Sequence, residues 1–113
     1  MNSIGKKKIL RIYIDSLDKF EHKPLWEIIL QKAKENNLAG ATVFKGIAGM
    51  GPHSEIHTFS ILSISENLPL VVEIIDNETK IINFTKILDD ILEEGLVTIT
   101  DTEVIQYRHK ESK

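Results

Sequence analysis

The groups in this chain with the most chemistry to offer crowd into one stretch. Lys45 leads into Gly46-Ile47-Ala48-Gly49-Met50-Gly51-Pro52-His53-Ser54-Glu55-Ile56-His57-Thr58, which holds three of the six glycines and two of the four histidines. Gly46, Gly49 and Gly51 leave backbone N–H groups open to an anion, because no side chain shields them. Lys45 adds a positive charge at the start of that cradle, and His57 and Thr58 stand at its far end. Their spacing, G-x-x-G-x-G with no following Lys-Ser, matches no dinucleotide or P-loop fingerprint. A flexible hairpin tip is the other reading of the same glycines. His53 and His57 lie four apart with Glu55 between them. On a helix that spacing would present two imidazoles to one metal ion, but Pro52 and the glycines before it disfavour a helix. Solvated histidines that brace the loop are therefore the plainer reading, and a metal held by His53 and His57 is the alternative. No Ser-His-Asp set or paired carboxylates stand together, so the chain reads as a non-enzyme.

A polar stretch this long needs a scaffold, and the flanking sequence supplies one. Residues 8–14, KILRIYI, alternate with period two and predict a strand. One of its faces is aliphatic (Leu10, Ile12, Ile14); the other carries Ile9, Arg11 and Tyr13. Residues 15–22 read as a polar connection. Pro24 suits a first helical turn. Leu25, Ile28, Ile29 and Ala33 then form a helical stripe that Trp26 and Leu30 widen, and Asn36-Asn37 with Gly40 end it. Residues 41–47 predict a second strand running into the glycine stretch, and residues 60–64 resume strand character. The run 68–75, LPLVVEII, has the continuous apolarity of a central strand covered on both faces. Asp76-Asn77 caps a second helix with Ile81, Phe84, Leu88 and Ile91 on one side, and Gly95 suits its C′ position. Residues 96–107 predict a last strand, kinked around Asp101-Thr102.

The order β-α-β-β-α-β is the split βαβ of a ferredoxin-like α+β domain: a four-stranded antiparallel sheet with two helices on one face. One domain over residues 1–113 is expected, with its core at 8–107 and frayed ends at 1–7 and 108–113. Helices on one face leave Ile9, Tyr13, Val71 and Ile75 bare on the other, which calls for burial against further subunits. Arg11 and Glu73 share that bare face and are expected to pair across adjacent parallel strands. The formal net charge of −3 argues against a nucleic-acid partner. The absence of cysteine removes disulfides and thiolate metal sites. No apolar run approaches the roughly 20 residues of a membrane span. No leader is read at the N-terminus, and a cytoplasmic location is expected.

Several blocks resemble the PII-like signalling proteins, and more closely the domain-of-unknown-function family 190. They are LRIYI at 10–14, KPLWE at 23–27, LAGATVFKGIAGMG at 38–51, IHT at 56–58, LPLVVEIID at 68–76 and EGLVTITDTEVI at 94–105. The resemblance implies a homotrimer of ferredoxin-like subunits. It also implies a mobile T-loop after the second strand that touches a target protein, such as a membrane transporter or channel, and a small effector in the clefts between subunits. Placed on this sequence, the effector contacts are Lys45, Gly46, Gly49, Gly51, His57 and Thr58. Two departures from PII matter. The stretch 46–59 has no tyrosine to modify. Residues 93–98, EEGLVT, contain no Lys or Arg where PII carries cations for phosphates. AMP or ADP, or another small anion, is therefore expected over ATP. Among other functions on this strand order, an RNA-recognition module lacks stacking aromatics in 71–75. An acylphosphatase-like enzyme lacks an arginine in 15–22. A metal-binding trimer similar to the CutA family remains the alternative. The loop, about 48–57, is expected to be mobile without a ligand.

Overall fold

A computed structural model describes residues 4–51, 56–58 and 67–110. Its elements in chain order are β1 (Gly5–Asp15), β2 (Lys19–Phe20), β3 (Lys23–Pro24), α1 (Leu25–Glu35), β4 (Ala41–Lys45), β5 (Ala48–Met50), β6 (Ile56–Thr58), β7 (Pro69–Asp76), α2 (Glu78–Ile91) and β8 (Leu96–Val104). The main sheet has the order β4-β7-β1-β8, and every neighbouring pair is antiparallel. β1 and β4 run the same way with β7 slotted between them, which is the ferredoxin-like arrangement. The expected segment at 60–64 lies outside the described residues.

The core follows from alternation. Leu10, Ile12 and Ile14 of β1 and Leu70, Val72 and Ile74 of β7 are buried. They meet Leu25, Ile28, Ile29 and Ala33 of α1 and Ile81, Phe84, Leu88 and Ile91 of α2. Each such side chain taken from water contributes about 1.5–3 kcal/mol. The expected helix faces are therefore the buried ones, and Trp26, Leu30, Ile87 and Leu92 pack partly against them.

Both helices end by local hydrogen bonding. Asn37 adopts φ 59° after the C-cap Asn36. The amide of Leu38 then donates to the carbonyl of Ala33 at 3.1 Å and that of Asn37 to Lys34 at 3.2 Å. This is a Schellman closure with asparagine where glycine is usual. Asn77 caps α2, its side chain accepting from the amide of Lys80 at 2.9 Å.

Six expectations need correction. Arg11 and Glu73 do face each other, Nε to Oε2 at 3.0 Å, but across antiparallel strands. The strand 69–76 is central by position but covered on one face only, its residues alternating between buried and part-exposed. Gly95 is not the C′ residue of α2, whose C-cap is Leu92. It has φ 154°, and a Cβ there would stand 3.0 Å from the carbonyl oxygen of Tyr13, so it is the close entry into β8 that needs glycine. β8 has no kink at Asp101-Thr102; it pairs with β1 without interruption to Val104 opposite Gly5, and residues 105–107 are not strand. For the same reason β1 starts at Gly5, within the expected frayed end. The connection at 15–22 also holds structure: β2 and β3 form a small hairpin whose turn residues Glu21 and His22 both have positive φ, the I′ geometry of two-residue hairpins.

Candidate functional site

The sheet has two ends, and each builds a different kind of place. At one end β1 finishes at Asp15 opposite Pro69, and β4 finishes at Lys45 opposite Leu70. The glycine stretch begins there. It is a ribbon rather than a featureless loop: Ala48 pairs with Thr58, Gly49 with His57 and Met50 with Ile56. The amide of Gly46 donates to the carbonyl of Pro69 at 2.8 Å. A Cβ on Gly46 would stand 2.7 Å from Cγ of Pro69, and one on Gly49 would stand 2.8 Å from the same atom. Those contacts are shorter than any side chain tolerates, so two of the three glycines let the ribbon lie against the Pro69 ring. Among the described residues, nothing stands within 4 Å of where a Cβ on Gly51 would lie.

The expected ligand residues are not all on one side. Lys45 is exposed and shares a register row with Leu70 and Ile14, which point to the helix layer. Phe44, one residue earlier, falls on the open side. Gly46 and Gly49 sit together over Pro69, and the backbone of His57 lies opposite Gly49. His53, the second residue of the metal alternative, lies outside the described residues.

The open face of the sheet carries apolar side chains in register. Phe44, Val71, Tyr13 and Leu96 form one row across all four strands. Three of them are well exposed: Phe44 at 51 %, Tyr13 at 39 % and Leu96 at 58 %. The next row is Thr42, Glu73, Arg11 and Thr98, with the ion pair at its centre, and beyond it lie Ile75 and Ile9.

At the other end of the sheet this face deepens into a groove of about 720 Å³. Its walls are Lys7, Asn37, Ala39, Gly40, Ala41, Thr42, Glu73, Ile75, Asp76, Asn77, Lys80, Val104, Gln106 and Tyr107. That volume falls in the range of small-molecule sites, and the mixture of apolar floor and converging polar groups is typical of them. One wall is tied tightly to the start of α2. Asp76 accepts from the amides of Ala39 at 2.9 Å and Asn77 at 2.7 Å, and Lys80 Nζ donates to the carbonyl of Asn37 at 2.8 Å. On the helix side of the same end, Lys8 pairs with Asp101 and lies 3.4 Å from Glu78. Hydrogen bonding to Asp101 raises the pKa of Lys8, and hydrogen bonding to Lys8 lowers that of Asp101.

None of the groove residues is singled out by sequence spacing as a ligand contact. They come from positions 7 to 107, and only their register brings them together. The available hints are small: Glu73 interrupting an apolar strand, and the Asp76-Asn77 pair, which reads as a cap and serves as one. Among the described residues, no helix is long and apolar enough to cross a membrane.

Comparison with known proteins agrees with this architecture. The family model DUF190: Uncharacterized ACR, COG1993, matches residues 7–104. A UPF0166 protein of Aquifex aeolicus is 46 % identical over 104 residues, covering 90 % of this chain and 96 % of its own. A UPF0166 protein of Methanocaldococcus jannaschii is 39 % identical over 100 residues, covering 88 % and 92 %. Among solved structures, CPII, a nitrogen regulatory PII-like protein from Thiomonas intermedia K12 bound to ADP, AMP and bicarbonate, superposes with a TM-score of 0.61. It shares 17 % identity over 89 % of this chain and 90 % of its own, which establishes a PII-like fold.

Proposed function

We propose, from the premise that this chain belongs to the DUF190 family, that it is a non-catalytic PII-like regulatory protein. It takes a small anionic effector, of the size of AMP or ADP, and signals through the glycine ribbon to a target protein. The observation that carries this reading is the groove of about 720 Å³ opening on a partly apolar sheet face. Such a face favours a homotrimer, because burying the Phe44–Val71–Tyr13–Leu96 row against further copies removes it from water. In that assembly the groove of one copy and the Lys45–Gly46 end of another are the two walls available to an effector. Lys7 and Lys80 supply positive charge in the groove, offset by Glu73 and Asp76 on the same walls, and residues 93–98 supply none, so a triphosphate is disfavoured relative to a monophosphate. The nucleotides and bicarbonate bound by CPII support the effector class. A regulatory protein of this kind works in the cytoplasm.

Calorimetry with AMP, ADP, ATP, bicarbonate and Zn²⁺, run beside light scattering, tests the reading. AMP or ADP is expected to bind a trimer more tightly than ATP does. A folded monomer at micromolar concentration, or Zn²⁺ as the sole ligand with binding lost in His53→Ala and His57→Ala, overturns it in favour of a different assembly or the metal alternative.

A further inference from the structure

The two walls of the groove are held very unequally. The wall made by the turn after α1 is held by two hydrogen bonds, the Ala39 amide donating to Asp76 and Lys80 Nζ donating to the carbonyl of Asn37, and behind them Asp76 accepts from the amide of Asn77, which caps α2. The opposing wall is the segment that follows β8. β8 ends at Val104 on one edge of the sheet, and Ala39 stands just before β4 on the other edge. Residues 105–107 therefore cross the ends of β1 and β7 to reach it. Among the described residues, this crossing is held by one hydrogen bond, from the hydroxyl of Tyr107 to the carbonyl of Ala39 at 3.2 Å. That is longer than the usual O–H···O range of about 2.5–3.0 Å. The segment gains little from packing, since Ile105 is 71 % exposed and Tyr107 45 %. Among the described residues, the Tyr107 ring has one aromatic neighbour, His109, with centroids 5.7 Å apart.

A segment with few apolar contacts and one weak bond opens far more easily than the sheet it crosses. We propose that residues 105–107 are a strap across the groove, that Tyr107 is its latch on Ala39, and that release of the latch sets the rate at which a small anion enters and leaves. The second half rests on the groove being the effector site. Tyr107 acts here as a positioning residue. Its hydroxyl holds the wall in place and is not required to touch the ligand.

The test compares the full-length protein with Tyr107→Phe, which keeps the ring and removes only the latch. Without ligand, the backbone ¹⁵N order parameters of residues 105–108 are expected to fall from the rigid range of about 0.85 toward the flexible range below about 0.6 in the variant. With a fluorescent AMP analogue in stopped flow, association and dissociation are both expected to accelerate about three- to tenfold, the range one hydrogen bond supplies, with Kd changing less than about threefold. Unchanged order parameters in the variant overturn the latch. A Kd weakened by more than about tenfold at an unchanged association rate makes Tyr107 a ligand contact and overturns the gating. If wild-type protein binds neither AMP, ADP nor bicarbonate, the effector reading falls and the gating with it. The order parameters still decide whether the strap is latched.

Discussion

The glycine end and the groove end of the sheet are made by opposite means. At the glycine end, order comes from side chains that are missing: Gly46 and Gly49 let the ribbon settle on Pro69, where any Cβ would collide with the ring. At the groove end, order comes from side chains that are present: Asp76, Lys80 and Tyr107 bond to backbone groups of distant segments, and Asn77 caps its own helix. The difference teaches how each responds to change. A steric fit fails abruptly when an atom is added. A set of separate polar bonds loses one bond at a time.

The largest effect is expected at the steric end. Gly49→Val should cost about 1–3 kcal/mol by overpacking against Pro69, measured by urea unfolding. The same substitution in a Pro69→Ala background should cost clearly less. Equal costs in both backgrounds would show that the Pro69 ring is not what forbids a side chain there. Next, Asp76→Ala removes the acceptor of the Ala39 and Asn77 amides. A loss of about 1–2 kcal/mol is expected, discounted for its partial exposure, with faster amide exchange confined to residues 37–40. If that exchange is unchanged, the fixed wall of the groove is held by something other than Asp76.

A smaller loss, about 1 kcal/mol, is expected for Asn77→Ala at the α2 cap. Asn77→Ser should recover most of it, since a hydroxyl can accept from the same amide. The smallest effect is that of pH on the Lys8–Asp101 pair. Asp101 has a lowered pKa when folded, so its contribution is present above the ordinary aspartate range and fades as pH falls through the lowered value. Lys8 has a raised pKa, so its contribution is present below the ordinary lysine range and fades as pH rises through the raised value. Thermal melts of wild type and Lys8→Met should therefore differ most near neutral pH and converge in acid. Because both groups are exposed, the gap should be small and should shrink in high salt. A gap that widens in acid would contradict the assignment.

Local chemistry was legible wherever neighbours in sequence are neighbours in space. The helical stripes, the alternation in β1, the Asn36-Asn37 stop and the Asn77 cap follow from periods of 3.6 and 2 and from short-range hydrogen bonding. The Arg11–Glu73 pairing was legible as well, although the expectation of parallel strands runs against the antiparallel sheet that the element order itself implies. The glycine stretch was visible as unusual, yet the reason for Gly46 and Gly49 lay at Pro69, some twenty residues further on.

By itself, then, the sequence determined the order of the two helices and the four strands of the main sheet, the two helix faces and the existence of an open sheet face, because each depends on side-chain periodicity alone. Tertiary structure decided which residues share that face in register, so that Phe44 and Leu96 join Tyr13 and Val71 in one row. It also decided that the groove forms at the end away from the glycines, and that residues 105–107 cross it to meet Ala39. These are outcomes of strand register and strand order. They set distances between positions as far apart as Lys7 and Tyr107, and no pattern along the chain encodes such distances.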